Sequence, residues 1–83
     1  MFLEEARKIR KLVNDIETAD NWIKTFEKKE IVGIDYQDGK KIGHVCITDD
    51  EVRKDFKQAV VNYYKERRSK AVDELDRIGK EKS

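Results

Sequence analysis

Phe2, Ile9, Ile16 and Ile23 stand seven residues apart, and Glu5, Leu12, Ala19 and Phe26 repeat that spacing three residues further on. Apolar residues at such a/d positions run as one stripe along a helix. The stripe is faulted only at Glu5, and Ala6 and Val13 widen it to the face expected of a bundle helix. The spacing predicts one helix over about Phe2–Lys28, roughly 40 Å long at 1.5 Å per residue. Asp20-Asn21 are poor helix formers, but the seam keeps its phase across them. Such a seam packs on the second helix of the same chain or on another subunit. Trp22, just off it, reads as core cover.

From Ile31 to Ile47, IVGIDYQDGKKIGHVCI, the period changes from helical to alternating. Asp38-Gly39 predicts a β-hairpin with a type I′ turn, whose two central residues both need φ > 0. Centring the turn there pairs Gln37 with Lys40, Tyr36 with Lys41, Ile34 with Gly43 and Val32 with Val45. Val32, Ile34, Tyr36, Val45 and Ile47 then share one face, expected to lie on the helices. Ile31, Asp35, Ile42, His44 and Cys46 share the other, which is too apolar to be comfortable in water. Gly33 and Gly43 weaken the strands and would let another backbone approach.

Thr48-Asp49-Asp50-Glu51 reads as a capping box, with Thr48 serving the Glu51 amide and Ile47 and Val52 placed as a hydrophobic staple. A helical stripe follows in Val52, Phe56, Ala59, Val60, Tyr63 and Tyr64. It lapses over Lys65–Lys70 and resumes at Ala71, Val72, Leu75 and Ile78. Gly79 reads as the C′ residue that ends the helix, leaving residues 80–83 to fray. The expected fold is α+β, a single α-β-β-α domain over 1–83. Two long helices form an antiparallel hairpin with the β-hairpin at one end.

Composition changes this picture in one respect. A chain of 83 residues is expected to bury only roughly 60–65% of its unfolded surface, and charged residues make up 45% of this one against 37% apolar. One cysteine excludes an intrachain disulfide, and one histidine leaves little for a metal. Small chains without either staple are commonly stabilised by other copies of themselves. The hairpin's open edges and two apolar faces point the same way. A homo-oligomer is expected, with Ile31, Ile42, His44, Cys46 and Tyr64 at its interfaces.

Nineteen basic and eighteen acidic residues give a net charge of +1, so charge selects a partner only through its arrangement. Level antiparallel helices would set Phe26 near Val52, Ala71 beside Arg7, and Arg67 and Arg68 beside Lys11 and Arg10. The candidate anion site is therefore Arg7, Arg10, Lys11, Arg67, Arg68 and Lys70. Arginine's planar fork suits phosphate oxygens, which makes a nucleotide or nucleic acid the implied ligand. The competing reading is a solvated face whose arginines pair with Glu66, Glu74 or a neighbour's carboxylates. His44 and Cys46, two apart on a strand, face the same way, as a metal pair or Cys-His nucleophile would. A structural zinc needs four ligands and a dyad an orienting third group. Both therefore read as interface residues. No catalytic residue, metal or cofactor is expected.

The order helix, β-hairpin, returning helix across the whole chain resembles the β-type subunit of prefoldin, with shorter helices here. The lysine- and glutamate-rich composition and small size are similar to accessory proteins of bacteriophages and prophages. Those resemblances imply a chaperone-like module, or an anti-defence protein acting on a host protein or sequestering a ligand. The charged N-terminus MFLEEARKIR and the lack of any long apolar run predict a cytoplasmic protein with neither signal peptide nor membrane span. The leading expectation is a non-enzymatic homo-oligomer that captures an anionic ligand. The alternative is an interaction or inhibitor protein working through apolar hairpin surface.

Overall fold

A computed structural model describes residues 2–82, with side chains for residues 3–81. Helix α1 runs Phe2–Lys28, strands β1 and β2 run Gly33–Asp38 and Lys41–Cys46, and helix α2 runs Asp50–Lys82. The fold is the expected long helix, antiparallel two-stranded hairpin and long helix packed back on the first.

The α1 seam is the face turned to α2. Ala19 is buried and Ile9, Leu12, Ile16, Ile23 and Phe26 are half-buried, whereas Ala6 and Val13 lie exposed. The side chain of Phe2 lies outside the described residues. Asp20-Asn21 do not break the helix, and Thr25 Oγ1 donates back to the Asn21 carbonyl at 2.8 Å. At the end of α1, Lys57 Nζ of α2 donates to the Glu27 carbonyl at 3.1 Å. A cation there satisfies one of the free carbonyls and suits the negative end of the helix dipole.

The hairpin turns one residue later than the sequence suggests. Asp38 pairs with Lys41, Gln37 with Ile42, Tyr36 with Gly43, Asp35 with His44, Ile34 with Val45 and Gly33 with Cys46. Gly39 has φ 61° and no other described residue has positive φ. Glycine leading a two-residue loop suits a type II′ turn, which does not ask Asp38 for positive φ. The slip moves each strand by one position, so every cross-strand pair keeps its face and the two side-chain sets stay as expected. The Ile47 amide donates to the Val32 carbonyl at 2.9 Å and extends the ladder by one rung.

Gly33 and Gly43 have a use inside the hairpin. A Cβ at Gly43 would collide with the Tyr36 ring, and one at Gly33 would fall 2.6 Å from the His44 ring. Each glycine is a slot covered by a cross-strand ring, not an approach path for another backbone.

Beyond its base at Ile47, which is buried and bonded to Arg53, the hairpin does not lie on the helices. Among the described residues no strand Cα comes within 8 Å of a helix Cα. Val32, Ile34, Tyr36 and Val45 are 37–55% exposed and Ile42 is 80% exposed. The molecule measures 53 × 31 × 14 Å, and α2 alone spans roughly 50 Å. The hairpin therefore adds to the width of the molecule, not to its length.

The start of α2 also corrects the expected cap. Asp49, not Thr48, is the N-cap: its Oδ1 accepts from the amides of Glu51 at 2.8 Å and Val52 at 3.3 Å. Arg53 then occupies the fourth helical position, and its Nε donates to the Ile47 carbonyl in place of a hydrophobic staple. Val52 is left 46% exposed. At the far end α2 runs through Gly79, without positive φ there, to Lys82. Three glutamate and lysine residues carry it on; Ser83 lies outside the described residues.

Packing is thinner than size alone demands. Only Ala19, Ile47, Val61 and Ala71 are buried among the described residues, and no large side chain is fully enclosed. The accessible surface is 7203 Å². A compact chain of 9.8 kDa should expose about 5,200 Å², and its unfolded form about 14,200 Å². About half of the unfolded surface is thus removed, below the expected 60–65%. The radius of gyration, 17.4 Å, compares with about 12 Å for a compact domain of this length.

Candidate interaction surfaces

The charged lapse in α2 lies where it was expected along the chain but opposite different residues. Helix α2 has 33 residues to the 27 of α1, and its first turns overhang the end of α1. Glu27 therefore meets Lys57, Trp22 stacks on Tyr64, Asp20 meets Arg68 and Lys8 meets Glu74. Phe26 does not pair with Val52, and Arg67 and Arg68 do not stand beside Lys11 and Arg10.

Acidic residues of α1 fill the places assigned to basic ones. Arg68 Nε lies 2.7 Å from Asp20 Oδ1. Arg67 Nη1 donates to the Tyr63 hydroxyl at 3.2 Å, and the guanidinium carbon Cζ stands 5.8 Å from that ring's centre. That hydrogen bond chiefly raises the Arg67 pKa above its ordinary value, and the charge of Asp15 adds to it. A shallow groove of about 210 Å³ is lined by Leu12, Asp15, Arg67, Lys70 and Ala71, so Ala71 sits by Leu12, not Arg7. Lys70 is 3.9 Å from Glu66, and Lys65 is 3.6 Å from Glu27. Lys8 lies 3.0 Å from Glu74, which also accepts from Arg77. These two hydrogen bonds lower the Glu74 pKa.

Of the six anion-site residues, Arg7, Arg10 and Lys11 are exposed, and no ion pair or hydrogen bond holds them among the described residues. Spaced i, i+3 and i+4, they share one flank of α1. The structure separates this trio from Arg67, Arg68 and Lys70.

The expected interface residues fall in two places. Ile42 and Cys46 are exposed on the hairpin and Ile31 is half-buried at its base. His44, also exposed, has Nδ1 2.5 Å from Oδ1 of Asp35, its directly opposite neighbour. Asp35 is the third group that the sequence did not reveal. Nevertheless Cys46 makes no hydrogen bond, and no cluster of three potential metal ligands occurs among the described residues. Tyr64 faces inward, half-buried against Trp22 at 6.1 Å between ring centres. Tyr63 meets Tyr64 edge-on at 5.2 Å.

At the neck between helices and hairpin, a cleft of about 390 Å³ is lined by Glu30, Asp50, Arg53, Lys54 and Lys57. Arg53 and Lys57 are committed to backbone carbonyls on either side of it. They brace the neck, which leaves Lys54 without a structural bond among the described residues.

The second surface is on α2 itself. Val52, Phe56, Ala59 and Tyr63 lie exposed, whereas Val60, Val61 and Tyr64 turn inward. What reads in sequence as one broad stripe is two neighbouring faces of one helix, one open to solvent and one turned to α1.

No helix among the described residues is long and apolar enough to cross a membrane. Comparison with protein-family models, curated proteins and solved structures gave no match.

Proposed function

We propose that this chain is a small, self-associating, non-enzymatic interaction module whose projecting β-hairpin holds an apolar segment of another polypeptide. One observation carries the reading. The hairpin presents Val32, Ile34, Tyr36 and Val45 to solvent, and it is anchored at its base, where Ile47 is buried and its carbonyl accepts from Arg53 of α2. A two-stranded hairpin is marginal in water unless a third strand or another packed surface supports it. Its free edges offer main-chain hydrogen bonds, and the alternating side chains offer selectivity, as in recognition by strand addition.

Capture of an anion, the leading expectation from sequence, takes second place. It relied on four cations at one level, and two of them stand against Asp15 and Asp20. What still favours it is the unpaired trio Arg7, Arg10 and Lys11.

The two readings separate in one comparison. Aggregation of a heat-unfolded reporter protein should be suppressed by the parent and not by Ile34→Ser/Val45→Ser. Nucleotides and short oligonucleotides should leave the melting temperature unchanged. Equal suppression by the hairpin variant would refute the first reading. A melting shift abolished by Arg10→Gln/Lys11→Gln would install the second.

A further inference from the structure

The outward stripe of α2 has an internal symmetry. Val52 and Tyr63 share a midpoint with Phe56 and Ala59, between Lys57 and Gln58. The spacings of four, three and four residues are those of a d-a-d-a seam. We propose that this stripe is a two-fold self-association surface, on which α2 of one chain packs antiparallel to α2 of a second copy. Val52 then meets Tyr63 of the partner copy, and Phe56 fills the space over its Ala59. The inference rests on the self-association in the reading above and specifies its geometry.

Two observations favour a second copy as the occupant. A two-fold interface must be self-complementary, and a stripe symmetric about its midpoint meets that demand with large against small when the helices run antiparallel. Parallel packing would instead set Tyr63 on Tyr63 and Ala59 on Ala59. Area supplies the second. The chain exposes 7203 Å², about 2,000 Å² more than a compact monomer of its mass. A standard interface covers about 800 Å² per partner, so the excess accommodates both this stripe and the hairpin.

The geometry fixes which cysteines can meet. Val52 and Tyr63 lie about 16 Å apart along one helix, beyond the roughly 7 Å Cα limit of a disulfide, so they cannot bridge within a chain. In a Cys46→Ser background, Val52→Cys/Tyr63→Cys should oxidise mainly to a covalent dimer of twice 9.8 kDa. Neither single variant should do so. On the native chain, Phe56→Glu should lower the light-scattering mass while helical circular dichroism is unchanged. Cross-linking of the single variants as readily as the double would mean parallel packing and overturn the proposal. So would a double variant that stays uncrosslinked, together with an unaltered mass for Phe56→Glu. If the parent still exceeds one chain mass in that case, only this geometry fails. A monomeric parent would remove the self-association as well.

Discussion

Arg68 Nε donates to Asp20 Oδ1 across the helix pair at 2.7 Å, where level helices would have set Arg68 beside Arg10. That contact marks the offset between α1 and α2 and turns a expected basic band into an ion-paired seam. Both side chains are more than two-fifths exposed, so their coupling should be small, about 0.2–1 kcal/mol. A double-mutant cycle with Arg68→Gln and Asp20→Asn, read by thermal unfolding, should show it at low salt and lose most of it near 1 M. Coupling that persists at high salt would mean that the pair is shielded from water.

The first turn of α2 gives a sharper contrast. Asp49→Ala removes the acceptor for two amides and should cost about 1 kcal/mol. Thr48→Ala should leave the melting temperature nearly unchanged, because its hydroxyl caps nothing. The reverse order of effects would assign the cap to Thr48.

Much of this was legible beforehand. The seven-residue spacing of Ile9, Ile16 and Ile23 marked α1, and alternation from Val32 to Ile47 marked the hairpin and sorted its two faces. Those survived because periodicity is local and a slip of one residue per strand preserves side-chain facing. The interhelical register was not legible. It depends on how far α2 overhangs the end of α1, which the neck around Ile47, Arg53 and Lys57 sets. The two faces of α2 were equally hidden, since Val52, Phe56 and Ala59 interleave with Val60 and Val61 in one apolar run. Asp35 could have been found as the partner of His44 had the turn been centred between Gly39 and Lys40.

Glu74 supplies a pH signature. Hydrogen bonds from Lys8 and Arg77 hold its pKa below the ordinary glutamate value of 4.5. A depressed carboxylate contributes stability that is present above its unfolded value and lost as pH falls through its folded value. The melting temperature of the parent should exceed that of Glu74→Gln at pH 7, and the two should converge as pH drops below about 4. A gap that is constant with pH would show that the contribution is not electrostatic.

Gly43 tests the ring slots of the hairpin. Alanine ordinarily stabilises a strand relative to glycine, but here its Cβ would collide with the Tyr36 ring. Gly43→Ala should displace that ring and speed amide exchange in β1 and β2 by roughly fivefold, the equivalent of about 1 kcal/mol. Slower exchange would show that Tyr36 moves aside without loss.

This chain is expected to complete itself on other chains, because beyond its base at Ile47 the hairpin leaves Val32, Ile34, Tyr36 and Val45 exposed and only four described residues are buried. Static light scattering across a dilution series from high to low micromolar tests it most directly. The mass should lie well above 9.8 kDa and fall, with loss of hairpin amide protection, as the protein is diluted. A mass of one chain at every concentration, with the hairpin amides still protected, would contradict it.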